Sequence, residues 1–74
     1  PGPERAASDA QRLELLQRVV QDLPPHLRQA LLWNRLDGLT QREIGERLGV
    51  SESMAGRYIL KALEHCQQQM DPQP

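Results

Sequence analysis

Apolar residues recur three and four positions apart in four blocks of this chain, separated by proline, glycine and hydroxyl residues, and none of the blocks alternates as a strand would. Leu13, Leu16, Val20 and Leu23 predict a first helix, opened by a capping box of Ser8 and Gln11 and running to about Asp22. Pro24 and Pro25 end it and begin the next, because proline fits a first helical turn but breaks an interior one. The second helix is expected from Pro25 to Leu36, with Leu27, Ala30, Leu31 and Leu32 facing inward and Arg28 and Arg35 on other faces. Leu31 and Leu16 are assigned to the core. Asp37-Gly38 supplies the exit and Leu39 the bridge to a short third helix, which Thr40 and Glu43 open with a second capping box and Gly49 stops. A fourth helix follows Ser51 and reaches about Gln68, with Ala55, Ile59, Ala62 and Cys66 as its buried stripe. The expected fold is all-α: a compact four-helix domain over residues 8–68, with a flexible lead-in at 1–7 and a flexible tail at 69–74.

The last two helices carry a second pattern. Ile44, Leu48, Val50, Ala55 and Ile59 are apolar where two steeply crossed helices would touch. Gly45 falls where their backbones would approach, Gly49 can adopt the positive φ of a tight reversal, and Ser51 can cap the helix that follows. This is a helix-turn-helix, for which the default function is DNA binding.

Composition narrows the setting. At 74 residues the chain is one small domain, able to bury only about 60% of the surface its unfolded form exposes. The single cysteine excludes an internal disulfide, and no stretch approaches the ~20 apolar residues of a membrane span, so no membrane insertion and a reducing cytoplasmic location are expected. A start at Pro-Gly-Pro without methionine points to a piece of something longer. Charge complicates the picture, because the net value is -1 where a DNA-binding domain is expected to be basic. Within residues 37–66, Arg42, Arg47, Arg57 and Lys61 face Asp37, Glu43, Glu46, Glu52 and Glu64, so the domain alone should bind DNA weakly.

If Ala55, Ile59 and Ala62 point inward, the helical period turns Glu52, Ser53, Gly56, Arg57, Leu60 and Lys61 outward. Arg57 is the chief base-reading candidate, since its fork matches the O6 and N7 acceptors of guanine. Ser51 and Ser53 can bond to bases or phosphates. Glu52 either accepts from cytosine N4 or simply complements the helix dipole in a first turn. Gln41 and Arg42 begin the third helix, placed to clamp phosphate, although Arg42 fits a solvated surface equally well. Gly56 costs ~1 kcal/mol relative to alanine inside a helix, so either something passes close to its backbone or the position is neutral and exposed. Tyr58, next to the core stripe, should be partly buried with its hydroxyl at the edge.

Other chemistry finds little support. His65 and Cys66 are adjacent and point apart on a helix, and His26 does not complete a ligand set, so no metal and no cofactor is expected. Cys66 reads as a small core residue. No nucleophile, base and orienting acid can be assembled, so the chain is not read as an enzyme.

The stretch LPPHLRQALLWNRLDGLTQREIGERLGVSESMAGRYILKAL resembles region four of an extracytoplasmic-function sigma factor of bacterial RNA polymerase. The likeness rests on Leu23, Pro24 and Arg28, then Asp37, Gly38, Leu39 and Thr40, then Glu43, Ile44 and Gly45, and spans about residues 23–66. Arg57 to Cys66 further resembles the iron-uptake branch, whose members respond to ferric siderophores through a membrane-anchored regulator. The resemblance implies that the fourth helix reads the promoter minus-35 element and that the domain docks on the flap of the polymerase β subunit. Trp33 and Leu36 would then be rim or anchor residues for the flap or for an anti-sigma regulator. Where many members carry Thr-Val and a polar or basic residue, this chain has Met54, Ala55 and Gly56, so its base preference must be sought in its own residues. Two alternatives remain: a protein-interaction scaffold bound mainly by an anti-sigma regulator, and a response-regulator output domain.

Overall fold

The computed structural model describes residues 2–70, with side chains from residue 10 to residue 69. Four helices follow one another: α1 (Gly2–Asp22), α2 (Pro25–Arg35), α3 (Gln41–Leu48) and α4 (Glu52–Met70). The all-α expectation holds. No described helix is long and apolar enough to cross a membrane.

The start of α1 corrects the sequence reading. Helix begins at Gly2, so Ser8 lies within it and cannot open it, and residues 2–7 belong to α1 rather than to a lead-in. Pro3 is compatible with a first turn, and Ala6 and Ala7 are strong helix formers, which carries the helix past a serine that local rules take as a cap. At the other end α4 includes Gln69 and Met70, and the rest of the expected tail lies outside the described residues.

α4 is the central element and packs against each of the other three helices. Its stripe is as expected: Ala55, Ile59, Ala62 and Cys66 are all buried. Small residues at three of these four positions let neighbouring helices come close. Ile44 of α3 and Ala30 and Leu31 of α2 join this stripe in the core, with Val19 of α1 and Leu23 just after that helix. Burial pushes the Cys66 thiol above its ordinary range, in keeping with a core role.

Only the C-terminal part of α1 joins this core. Leu13 is 58% and Leu16 38% exposed, so the assignment of Leu16 to the core is wrong, and among the described residues Val19 rather than Val20 is the buried member of the helix. Period alone fixes the direction of an apolar face; it does not say how far along a helix its neighbours extend.

The connections are held by specific bonds. Arg28 Nη1 donates to the Gln21 carbonyl at 3.2 Å, tying α2 to the last turn of α1. After α2, Gly38 takes φ 70°, the Leu39 N–H donates to the Trp33 carbonyl at 3.0 Å, and Asn34 Nδ2 donates to the Leu39 carbonyl at 2.9 Å. This loop delivers Thr40 to the start of α3 in an extended conformation.

Candidate nucleic-acid interface

The interface is built on the α3–turn–α4 unit. Thr40 and Glu43 form the expected capping box: the Glu43 N–H donates to Thr40 Oγ1 at 3.1 Å, and the Thr40 N–H donates to Glu43 Oε1 at 2.9 Å. Those Thr40 hydrogen bonds hold the Glu43 carboxyl below its usual range. Gly49 then reverses the chain at φ 73°. The Gly45 carbonyl accepts from the Gly49 N–H and, at 2.9 Å, from the Val50 N–H. A Cβ on Gly45 would stand 2.7 Å from the Val50 carbonyl oxygen and 3.0 Å from that of Ser51, so the turn folds directly over this residue. Ser51 caps α4, its Oγ accepting from the Met54 N–H at 3.1 Å.

With the crossing fixed, the outward face of α4 is defined. Glu52, Ser53, Arg57, Leu60 and Lys61 are exposed, Ser51 is exposed at the turn, and Gln41 and Arg42 are exposed at the start of α3. Gly56 is half-buried, at the border between this face and the core. Leu60 adds an exposed apolar patch one turn beyond Gly56, and Met54 is also 38% exposed.

The cations of the unit are not equivalent. Arg47 lies over the Trp33 ring, its Cζ 5.3 Å from the centroid, which fastens α3 to α2 and withdraws that charge from the face. Arg42 Nε stands 3.9 Å from Glu46 Oε2, an exposed intrahelical pair. Among the described residues Arg57 and Lys61 form no ion pair, and four-residue spacing puts them on one side of α4. Tyr58 is half-buried, as expected, and packs edge-on against His26 of α2 with ring centroids 4.7 Å apart.

Of the outward set, the structure brings Gln41 and Gly56 into contact: a Cβ at residue 56 would lie 2.7 Å from Gln41 Oε1. Sequence reasoning flagged Gly56 as out of place without finding this neighbour, because it comes from a different helix. The sequence places Arg28 only by face and counts Arg47 only as a charge; their roles in joining helices depend on the loop and the aromatic partner. No group of three or more His, Cys, Asp or Glu side chains among the described residues is arranged to hold a metal.

A capped short helix, a glycine reversal and a second helix with basic and hydroxyl side chains outward define a domain of the helix-turn-helix class. Within that class the chain belongs to the family described as sigma-70, region 4, which matches residues 13–66. It is 44% identical over 66 residues to the ferric citrate uptake sigma factor FecI of Escherichia coli (strain K12), an alignment covering 89% of this chain and 38% of that protein. The chain thus spans well under half the length of this relative. Comparison with solved structures gives no match. Both the family and the iron-uptake branch read from the sequence agree with these findings, and neither the interaction-scaffold nor the response-regulator alternative is favoured.

Proposed function

We propose that this domain recognises the minus-35 element of promoters on behalf of an RNA polymerase sigma factor, with α4 in the major groove. The observation that carries the reading is the outward face of α4 in a chain of this family, where Arg57 is exposed and free of an ion pair among the described residues. Arg57 meets base edges, Ser53 and Glu52 flank it at the mouth of the helix, and Lys61 sits one turn further on against phosphate. At the turn and the start of α3, Ser51, Gln41 and Arg42 approach the duplex, the Arg42 guanidinium exchanging Glu46 for phosphate.

Weak charge suits a tethered reader. A domain held at the promoter by polymerase gains effective concentration and does not need a large electrostatic affinity of its own. The exposed leucines of α1 and Leu36, which is 76% exposed, offer apolar surface for the β flap of the polymerase or for an anti-sigma regulator anchored in the membrane, as the resemblance implies. Trp33 is already engaged by Arg47, so Leu36 is the better anchor. The name of the E. coli relative supports iron-uptake genes as the targets, and membership of the sigma-70 region 4 family supports action with polymerase in the cytoplasm.

Titrating a fluorescently labelled promoter duplex at low salt tests this reading. Tighter binding to the minus-35 duplex than to a shuffled one, weakening as salt rises, is the expected result. Equal binding to both sequences would contradict it, and absence of any salt-dependent binding, even with the domain fused to the polymerase flap, would favour the interaction-scaffold alternative.

A further inference from the structure

Gly56 is the residue of α4 that local energetics explain least. A glycine inside a helix costs about 1 kcal/mol relative to alanine, and neither the turn nor a backbone crossing requires this one. Its surroundings supply a reason. A Cβ at residue 56 would lie 2.7 Å from Gln41 Oε1, 3.0 Å from Cδ and 3.3 Å from Nε2, so the whole carboxamide rests against the bare α4 backbone. Gln41 is the first residue of α3. When a helix-turn-helix binds, its first helix crosses the duplex backbone while the opening turns of the second enter the groove. Gln41 therefore reaches from the backbone-crossing helix to position 56, which stands one turn beyond Glu52 and beside Arg57.

Among the described residues the carboxamide has no hydrogen-bond partner. A carboxamide holds an acceptor oxygen and a donor NH2 group in one plane, and that pairing is the complement of adenine N6 and N7 in the major groove. We propose that Gln41 is a specificity-determining residue. It delivers from α3 the base-reading group that α4 lacks at position 56, and Gly56 is the seat that holds its carboxamide flat beside Arg57. This inference rests on the promoter-reading role of α4 and assigns Gln41 to a base edge rather than to phosphate.

The test is selection from a pool of randomised duplexes by the 74-residue chain at low salt, for the parent, Gln41→Ala, Gly56→Ala and the double variant. The parent should select an adenine at one position of its site. Gln41→Ala should lose that preference by roughly 5- to 150-fold, the discrimination carried by one good bidentate contact, with other positions unchanged. Gly56→Ala should disturb the same position by displacing the carboxamide, and the double variant should behave like Gln41→Ala alone, as expected for two residues acting as one unit. Equal loss on every sequence for Gln41→Ala would make it a phosphate contact and overturn the proposal, as would no loss, or effects of the two single variants at different positions. Failure of the parent to select any sequence, even when fused to the polymerase β flap, would instead remove the promoter-reading role itself. Thermal melts of all four proteins separate these results from unfolding, since Gln41 is exposed and Gly56→Ala adds helix propensity.

Discussion

Two glycines of the helix-turn-helix lack room for a Cβ, and they should respond to alanine in opposite ways. At Gly45 the obstruction is the carbonyl of Val50, part of a turn whose own N–H groups bond back to Gly45, so neither side can yield. Gly45→Ala is expected to cost about 1–3 kcal/mol through overpacking, read as a lower urea midpoint. At Gly56 the obstruction is the far end of the Gln41 side chain, which can swing away. Gly56→Ala should leave stability unchanged or raise it by up to about 1 kcal/mol, and a clear loss would show the Gln41 contact to be stiffer than its exposure implies. The sequence marks both glycines as unusual. It identifies the need only at Gly45, where the reason lies a few residues downstream; the partner of Gly56 is set by the way two helices cross.

Glu43 carries a pH dependence of definite sign. Its carboxylate is held below the ordinary 4.5 by the Thr40 hydrogen bonds, so it is more acidic folded than unfolded. The stability it contributes is fully present above the unfolded value and disappears as pH falls through the folded one. Glu43→Gln should accordingly be the less stable protein at pH 7, and the gap between the two should close as the pH drops below 4.5 in denaturant titrations. A gap that stays constant with pH would mean that the box contributes through shape and not through charge.

Among the helices, α4 was the most legible and α1 the least. The α4 stripe consists of four positions in unbroken helical register, and every one is buried because three other helices surround it. α3 relies on one large side chain: Ile44 is fully buried, and the capping box and glycine stop define the ends of the helix. Ile44→Ala should therefore cost about 2–5 kcal/mol and abolish the crossing on which DNA binding depends, seen as a loss of cooperative melting. α1 misleads for the opposite reason. Its apolar face is visible in the sequence, yet among the described residues burial begins at Val19, and Leu13 and Leu16 lie exposed on the helix before it. Its N-terminal limit was missed as well, because a serine followed by a glutamine three residues on satisfies the capping rule whether or not the helix has already begun.

Taken together, the domain is elongated. Its radius of gyration is 14.4 Å, whereas a compact chain of this length would have about 11 Å, and the excess reflects α1 extending past the core. The molecule presents apolar surface on α1 and a polar face on α4, which offers separate side chains to a protein partner and to a duplex. The near-neutral charge follows the same division: Arg47 is spent on Trp33 and Arg42 is shared with Glu46, which leaves Arg57 and Lys61 as the cations of α4. Sequence supplied this inventory, but the distinction between engaged and available cations depends on which aromatic and which carboxylate lie within reach. Sequence-dependent binding should accordingly concentrate in Arg57 and sequence-independent binding in Arg42. The direct measurement is the affinity of the parent, Arg57→Ala and Arg42→Ala for a set of minus-35 duplexes differing by single base pairs. Arg57→Ala is expected to lose about 1–3 kcal/mol of discrimination at one base pair, and Arg42→Ala to weaken all duplexes alike. Uniform weakening by Arg57→Ala, with every base preference intact, would contradict the placement of α4 in the groove.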